Sequence, residues 1–424
     1  MKIEIKNGRV IDPRAGVDRV ATLYVAAGRV AALGAAPSEW SANRTIDATG
    51  LVVCPGLIDL SARLREPGFE YKATLESELE AALAGGVTSL ACPPDTDPPL
   101  DEPGLVDMLR RRAKALSRAR VYPVGALTVK LEGERLTEMA QLAEAGCVAF
   151  SQANVPVANT QVLWRALQYA ATFGLPVWLR PEDAWLAKDG VAHEGELATR
   201  LGLPGIPPFA ETIALATILE LVRATGARVH LCRLSTAGAV DMMRAAKRDK
   251  LPVSCDVAIH HLHLSDMDLG YFDSNCRLEP PLRSQRDRDA LARGLEDGTI
   301  DCVCSDHTPV DDDGKQVPFA EAEPGATGLE LLLPLTLKWG EARKLPLAKS
   351  LARITCNAAQ VLGVASGRLT AGAPADVAIF DPRAVLRVVP EMLKSQGKHT
   401  PFAGYELAGR VRYTLVGGNV VYEA

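Results

Sequence analysis

Polar and charged side chains follow several apolar segments of this 424-residue chain. The segment PGLIDLSARLREPG, residues 55–68, passes from apolar residues into Ser61 and Arg63. Comparable positions after other apolar segments are Asp95, Gln152, Ala153, Arg180, Arg233, His260 to His263, Asp306 and His307. Polar side chains that converge from many strand ends are typical of a catalytic site, and above all of a hydrolytic metal centre.

Metal-assisted hydrolysis needs neutral imidazoles and carboxylates that converge on one or two Zn²⁺ ions. The chain has only seven histidines, and Arg63, Arg180 and Arg233 stand at predicted strand ends instead. An arginine keeps its proton at any working pH, so it has no lone pair to give to a metal. Three guanidiniums around one centre would also repel a dication. The sequence therefore predicts that no binuclear zinc site forms and that no cofactor is bound.

The middle of the chain must supply the elements that position these residues. About eight apolar segments, each followed by a polar loop and a helical stretch, extend from LVVCPGLIDL to IDCVCSDHTP. This alternation predicts an α/β fold, the (β/α)8 TIM barrel, whose functional side chains lie where the strands end. We expect the barrel to occupy residues 53–369.

The two ends of the chain resemble each other more than they resemble the middle. KIEIKNGRVID alternates polar and apolar residues up to a turn at Asn7 and Gly8, and GRVRYTLVGGNVVYEA does the same around a Gly-Gly turn. Alternation with a period of two indicates short β-strands. We predict that residues 1–52 and 370–424 pair into one small β-sandwich domain.

Composition excludes several classes of partner. A formal net charge of -5 argues against a general nucleic-acid binder. The nine cysteines show no CxxC spacing, which favours free thiols in a reducing cytoplasm over a disulfide framework. No segment is long and apolar enough to span a membrane, and the first residues contain no apolar signal core. We therefore expect a cytoplasmic protein that binds neither membranes nor nucleic acids.

Seven further segments of the chain have a distinctive sequence. In chain order they are AALAGGVTSLACPPDTDP, VAFSQANVPV, LRPEDAWL, LGLPGIPPFAE, HLCRLSTAGAV, DGTIDCVCSDHTP and LTAGAPADVAIFDP. Together with PGLIDLSARLREPG they resemble the dihydroorotase branch of the amidohydrolase superfamily. The match spans nearly the whole chain. The resemblance implies a TIM barrel with a β-sandwich made from both termini, and it places the chain among zinc hydrolases.

The resemblance also implies six metal-binding positions in this chain. These positions are Ser61, Arg63, Ala153, Arg180, Arg233 and Asp306. Only Asp306 keeps the residue type of the family, because a serine, an alanine and three arginines replace four histidines and one aspartate. We expect the six to be vestigial and catalysis to be lost. We also expect Asp306 to pair with Arg63 or Arg233, so that ion pairs take the place of metal–ligand bonds.

Four further positions correspond to substrate contacts in the family. Arg65 keeps the arginine that pairs with the substrate carboxylate, whereas Val310 replaces a histidine. Asp95 and Glu279 put negative charge where the family has asparagines. Two carboxylates facing an anionic substrate would repel it by roughly one to several kcal/mol in a partly buried site. We therefore expect these four positions to be vestigial as well.

Two alternatives remain open at the residue level. His261 and His263 have His-x-His spacing, and on a strand both would face one side and could share one metal ion with a third ligand. Together with Asp306 they would make a metal-free or mononuclear amidohydrolase acting on a cyclic amide or ureide. The arginine cluster could instead bind a small anion, because guanidinium suits carboxylate and phosphate.

Within the family, the chain resembles bacterial dihydroorotase-like proteins that lack catalysis and associate with aspartate carbamoyltransferase. This resemblance implies a structural role in pyrimidine biosynthesis, in which the chain supports the assembly or stability of that transferase in a hetero-oligomer. It also implies a homodimer. Partner binding uses outer helices and loops, so it survives the loss of chemistry in the barrel. A chain that binds only the folded transferase stabilises that enzyme by mass action.

Overall fold

The computed structural model describes residues 1–424, and the chain opens with strands of a small β-rich domain. These strands are β1 (Lys2–Asp12), β2 (Val17–Ala26), β3 (Arg29–Leu33), β4 (Arg44–Asp47) and β5 (Val52–Pro55). β1 pairs antiparallel with β2 and parallel with β4 and β5. Alternation along β1 buries Ile3 and Ile5 in the core of this domain.

Eight parallel strands then form the barrel. In chain order they are β6 (Leu57–Asp59), β7 (Val87–Cys92), β8 (Arg120–Ala126), β9 (Ala149–Ser151), β10 (Val177–Leu179), β13 (Val229–Leu231), β14 (Val253–Ala258) and β15 (Cys302–Cys304). Two short strands, β11 (Ala192–His193) and β12 (Gly205–Ile206), pair with each other between β10 and β13. A bridge between Ala62 and His307 joins the segments that follow β6 and β15. The predicted (β/α)8 barrel is confirmed.

Helices surround the barrel. They are α1 (Leu75–Ala84), α2 (Pro103–Leu116), α3 (Met139–Ala145), α4 (Thr160–Phe173), α5 (Glu196–Leu201), α6 (Phe209–Thr225), α7 (Ala237–Arg248), α8 (Gln285–Asp297), α9 (Asp312–Lys315), α10 (Leu332–Ala342), α11 (Leu347–Arg353) and α12 (Cys356–Leu362). Local signals set their ends: the Thr74 hydroxyl caps α1, and Gly174 ends α4 in the left-handed conformation. None of the helices has the length and apolar character needed to cross a membrane.

Three strands near the end of the chain complete the β-rich domain. They are β16 (Val377–Arg387), β17 (Glu406–Val416) and β18 (Asn419–Glu423). β16 pairs antiparallel with β5, so the two ends of the chain meet in one eight-stranded sheet. One face of this sheet packs on an apolar cluster of 14 buried residues. A larger cluster of 75 buried residues extends from the barrel and its helices to the strands of this sheet, including Phe380 and Val411. The prediction that both termini build one β-rich domain is confirmed.

The cysteines are packing residues of these two domains. All nine are free, and all but Cys232 are buried. Cys302 and Cys304 lie in the barrel interior, where burial raises the pKa of their thiols. They therefore remain protonated at neutral pH.

Candidate functional site

The site lies where the barrel strands end, at the barrel mouth. Ala153, Arg233 and Asp306 each follow a strand and have positive φ angles of 52°, 54° and 48°. This left-handed conformation costs a non-glycine residue roughly 1–2 kcal/mol, so the surrounding structure must hold it. For Arg233 a backbone contact does so, because its N–H donates to Asp256 Oδ1 at 2.6 Å. The barrel framework thus keeps the geometry of a functional site.

The carboxylate of Asp306 is the centre of the site. Its Oδ1 lies 3.0 Å from Arg233 Nη1 and 3.5 Å from Arg63 Nη1. The Ser61 hydroxyl donates to the same oxygen at 3.2 Å. All four side chains are buried, so each charge is shielded from water and depends on its partners. The prediction that Asp306 pairs with Arg63 or Arg233 is confirmed, and it pairs with both.

Asn154 provides a second acceptor that the same two arginines share. Its Oδ1 accepts from Arg233 Nη2 at 2.6 Å and from Arg63 Nη2 at 3.0 Å. The two guanidiniums are therefore held together by one carboxylate and one amide oxygen, despite their like charge. Asn154 was not predicted, although its place directly after Ala153 marks it as a polar residue at a strand end.

The third arginine, Arg180, is held by two glutamates. Its Nη1 and Nη2 each lie 2.6 Å from one oxygen of Glu182, and Nη2 lies 2.7 Å from Glu279 Oε1. Nη2 also donates to the backbone carbonyl of Asn154 at 2.8 Å. Burial lowers the pKa of Arg180, but the two glutamates outweigh burial and raise it overall. Glu279, predicted to repel substrate, is thus a counter-ion, and Glu182 is a partner that was not predicted.

Asp95 is likewise a counter-ion, in this case of Arg63. Its Oδ2 lies 2.6 Å from Arg63 Nε, and Arg63 Nη1 also donates to the Thr308 hydroxyl at 3.0 Å. Burial raises the pKa of Asp95, but the Arg63 guanidinium outweighs burial and lowers it overall. Each of the three guanidiniums therefore already has a carboxylate partner. This pairing weighs against the small-anion site, because no guanidinium is left without a counter-ion.

The remaining predicted positions lie at the edge of this network. Arg65 Nε donates to the backbone carbonyl of Pro309 at 2.9 Å, and its guanidinium lies 5.9 Å from the Phe69 ring centre. Val310 is fully buried. Gln152 is directed toward Thr128, with which its side-chain amide exchanges hydrogen bonds of 2.8 and 2.9 Å. None of the three bonds to Asp306.

His261 and His263 do not lie on a strand, so the prediction that a strand makes them face one side is wrong. β14 ends at Ala258, and a single 3-10 turn follows at Ile259–Leu262. His261 Nε2 lies 3.1 Å from the carbonyl of Pro281, and His263 Nε2 lies 2.9 Å from the carbonyl of Leu335. Burial lowers the pKa of both imidazoles to about 4, so they are neutral donors at pH 7.

The donors at the barrel mouth do not fit the zinc centre that the resemblance implies. Asp306 is the only candidate ligand among the six positions, and two guanidiniums lie within 3.5 Å of it. A dication there would be repelled by both. A separate group, His230, Cys232 and Asp256, has ligand atoms within 4.8 Å of one another. Both ring nitrogens of His230 are already hydrogen-bonded, however, one of them to Asp256 at 3.0 Å.

Comparison with known proteins identifies the family. Residues 50–239 match the family described as Dihydro-orotase-like, and residues 199–422 match the one described as Amidohydrolase family. A "Dihydroorotase-like protein" of Pseudomonas aeruginosa is 45% identical over 423 residues, which cover 100% of both chains. A "Dihydroorotase" of a Geobacter species is 42% identical over 424 residues, also 100% of both. The chain belongs to the dihydroorotase-like branch of the amidohydrolase family.

Solved structures share the whole architecture. The L-hydantoinase (dihydropyrimidinase) of Arthrobacter aurescens matches with a TM-score of 0.87 at 25% identity, over 99% of this chain and 96% of that one. The dihydropyrimidinase of Brevibacillus agri matches with a TM-score of 0.82 at 22% identity, over 100% of this chain and 95% of that one. At such identities the likeness concerns the fold, which is the barrel with its β-rich domain.

Proposed function

We propose that this chain is a catalytically inactive dihydroorotase homologue with a structural role in pyrimidine biosynthesis, where it supports the assembly or stability of aspartate carbamoyltransferase. The pairing of Asp306 with Arg63 and Arg233 is the observation that supports catalytic inactivity. Those two cations and the Ser61 hydroxyl already bond to Asp306 Oδ1, the oxygen that would have to bind a metal or a water.

Residual catalysis by Asp306 alone would be small. A general base without a metal contributes about 10²–10⁴-fold, far below the acceleration that amide hydrolysis needs. Its Oδ1 also already accepts from Arg63, Arg233 and Ser61, so the oxygen that would take a proton from water is engaged. We therefore infer that the framework persists for a use other than turnover.

The proposed partner follows from the resemblance to non-catalytic proteins that associate with the transferase. The names of the relatives are compatible with either reading, because the Pseudomonas aeruginosa protein is called dihydroorotase-like and the Geobacter protein dihydroorotase. The intact outer helices and β-rich domain supply a large surface that does not depend on the barrel chemistry.

Co-purification tests the partnership. The chain and the aspartate carbamoyltransferase of its host are expressed separately and together, and each sample is run on a sizing column with a transferase assay. We expect a joint peak and a transferase that is larger and more active with the chain than alone. A transferase that is equally assembled and equally active alone, with no joint peak, contradicts the role.

A metal-free or mononuclear amidohydrolase built on Asp306, His261 and His263 is the second candidate. One observation favours it: Nδ1 of His261 is buried without a hydrogen-bond partner. Elemental analysis of protein purified without chelator tests its mononuclear form. Stoichiometric zinc that His261→Gln or His263→Gln removes would support this candidate, and zinc-free protein would count against its mononuclear form.

A further inference from the structure

The loops at the barrel mouth expose most of the large apolar side chains that face solvent. Thirteen large hydrophobic residues of the chain are exposed. Nine of these lie on segments that follow barrel strands, or in the first two turns of the next helix. The most exposed of these nine are Tyr271 at 91%, Trp185 at 75% and Met267 at 63%. Large apolar groups concentrated on one face of a soluble protein mark an interaction site.

The exposed residues form groups at this end of the barrel. Val155 and Trp185 line the same cleft, between the loops that follow β9 and β10. The rings of Tyr271 and Phe272 lie 5.4 Å apart in the loop that follows β14. We call these four residues together with Met267 the mouth surface. Tryptophan and tyrosine are the side chains that most often dominate the binding energy of protein interfaces.

The arginine network lies directly beneath the loops that carry the mouth surface. Arg180 binds the carbonyl of Asn154, the carboxylate of Glu182 and the carboxylate of Glu279. Asn154 precedes Val155, Glu182 is three residues before Trp185, and Glu279 follows the Tyr271 loop. One buried guanidinium therefore ties the three loops together. Loops fixed in advance lose less entropy when a partner binds, so the network prepares the surface for docking.

Charge on these loops distinguishes a foreign partner from a second copy. Between β10 and α6 and between β14 and α8, the exposed charged residues are five acids and two cations: Asp189, Glu194, Glu196, Asp268, Asp273, Lys188 and Arg200. The loop after β15 adds three exposed acids and no exposed cation. Two copies of this acidic face would repel each other, whereas a basic face would be attracted.

We propose that the mouth surface is where aspartate carbamoyltransferase docks, through an apolar patch on that enzyme flanked by Lys or Arg. The inference rests on the proposed function and adds the location and chemistry of the contact. It also explains the buried ion pairs, which stand at the positions of a catalytic centre and hold the docking loops in place.

The test compares substitutions on the mouth surface with matched substitutions elsewhere. Trp185→Asp and Tyr271→Asp alter the mouth surface, and Phe173→Asp and Val385→Asp alter apolar residues that are 57% and 61% exposed away from it. Affinity for the purified transferase is measured by calorimetry, and folding is checked by thermal unfolding. We expect each mouth variant to bind at least about 30-fold more weakly, the effect of one interface hot spot, and the controls to bind within about twofold of wild type.

The possible failures are distinguishable. Wild type that does not bind the transferase at all contradicts the proposed function. Wild type that binds, with folded mouth variants of unchanged affinity, contradicts the docking surface alone. A mouth variant that turns a homodimer into a monomer and still binds the transferase would show that a second copy occupies the surface, which also overturns the proposal.

Discussion

Asp306 illustrates how the surroundings of one carboxylate decide its use. Its side chain meets two guanidiniums and a hydroxyl, all of them donors, so it receives hydrogen bonds where a metal centre would receive electron pairs. The shared acceptor Asn154 and the counter-ions of Arg63 and Arg180 extend the same arrangement. The network is therefore a set of mutually dependent buried charges, and removing one member leaves others uncompensated.

Replacing Arg233 by Met measures that dependence. Arg233→Met leaves Asp306 and Asn154 each without one donor, so we expect the free energy of unfolding to fall by about 3–5 kcal/mol. Urea unfolding measures the loss. Arg244→Met is the matched control, because Arg244 pairs with Asp241 and Asp297 on the surface and should contribute below about 1 kcal/mol. Equal losses in the two variants would mean that the buried network is not held by its charges.

The half-buried imidazole of His263 should make the stability of the chain depend on pH. Its pKa is about 4 in the folded chain, against about 6.5 when unfolded, so the unfolded state binds more protons between these values. The contribution of His263 to the free energy of unfolding is therefore greatest above pH 6.5. It falls by roughly 1.4 kcal/mol per pH unit as the pH drops toward 4.

The variant His263→Gln keeps a donor for the Leu335 carbonyl and removes the titration. Unfolding free energies of both proteins are measured in urea from pH 4.5 to 8, so that all other titrating groups cancel in the difference. We expect the variant to lose stability less steeply below pH 6.5 and to run parallel to wild type above it. Parallel curves over the whole range would contradict the burial of this imidazole.

At the scale of elements, the sequence predicts where strands and helices lie better than how they end. Period-two and helical patterns predicted the barrel strands and the single β-rich domain formed by both ends of the chain, because burial imposes those patterns. The 3-10 turn that follows Ala258 was not predicted, since a short apolar run does not show where a strand stops. Asn154 and Glu182 were not predicted as partners because their contacts join loops from different strands.

Arg180 connects three loops at the barrel mouth. Its contacts with Asn154, Glu182 and Glu279 join the loops after β9, β10 and β14. We expect Arg180→Met to loosen those loops, so that amide hydrogen exchange in residues 181–190 becomes at least about tenfold faster while α10 is unchanged. Mass spectrometry of exchanged peptides measures the effect. Unchanged exchange in residues 181–190 would show that other contacts hold the loop.

At the scale of the whole molecule, the barrel and the β-rich domain are joined tightly. Asp376, next to β16, accepts from Arg120 on β8 and so links the two domains, while the backbone N–H of Gly417 holds the same carboxylate from within the β-rich domain. A scaffold needs such rigidity to present loops from several strands in a fixed arrangement. The homodimer remains a prediction, and the acidic character of the loops at the barrel mouth makes other faces the better candidates for self-association.

We propose that ion pairs have replaced the catalytic centre, and an activity assay with added zinc tests this replacement. Purified chain, preincubated with Zn²⁺, is offered dihydroorotate and carbamoyl aspartate, and their interconversion is followed beside a Zn²⁺ blank. We expect a rate equal to the blank, because Arg63 and Arg233 pair with Asp306 and would repel a dication. Turnover above the blank that Asp306→Asn abolishes would contradict it.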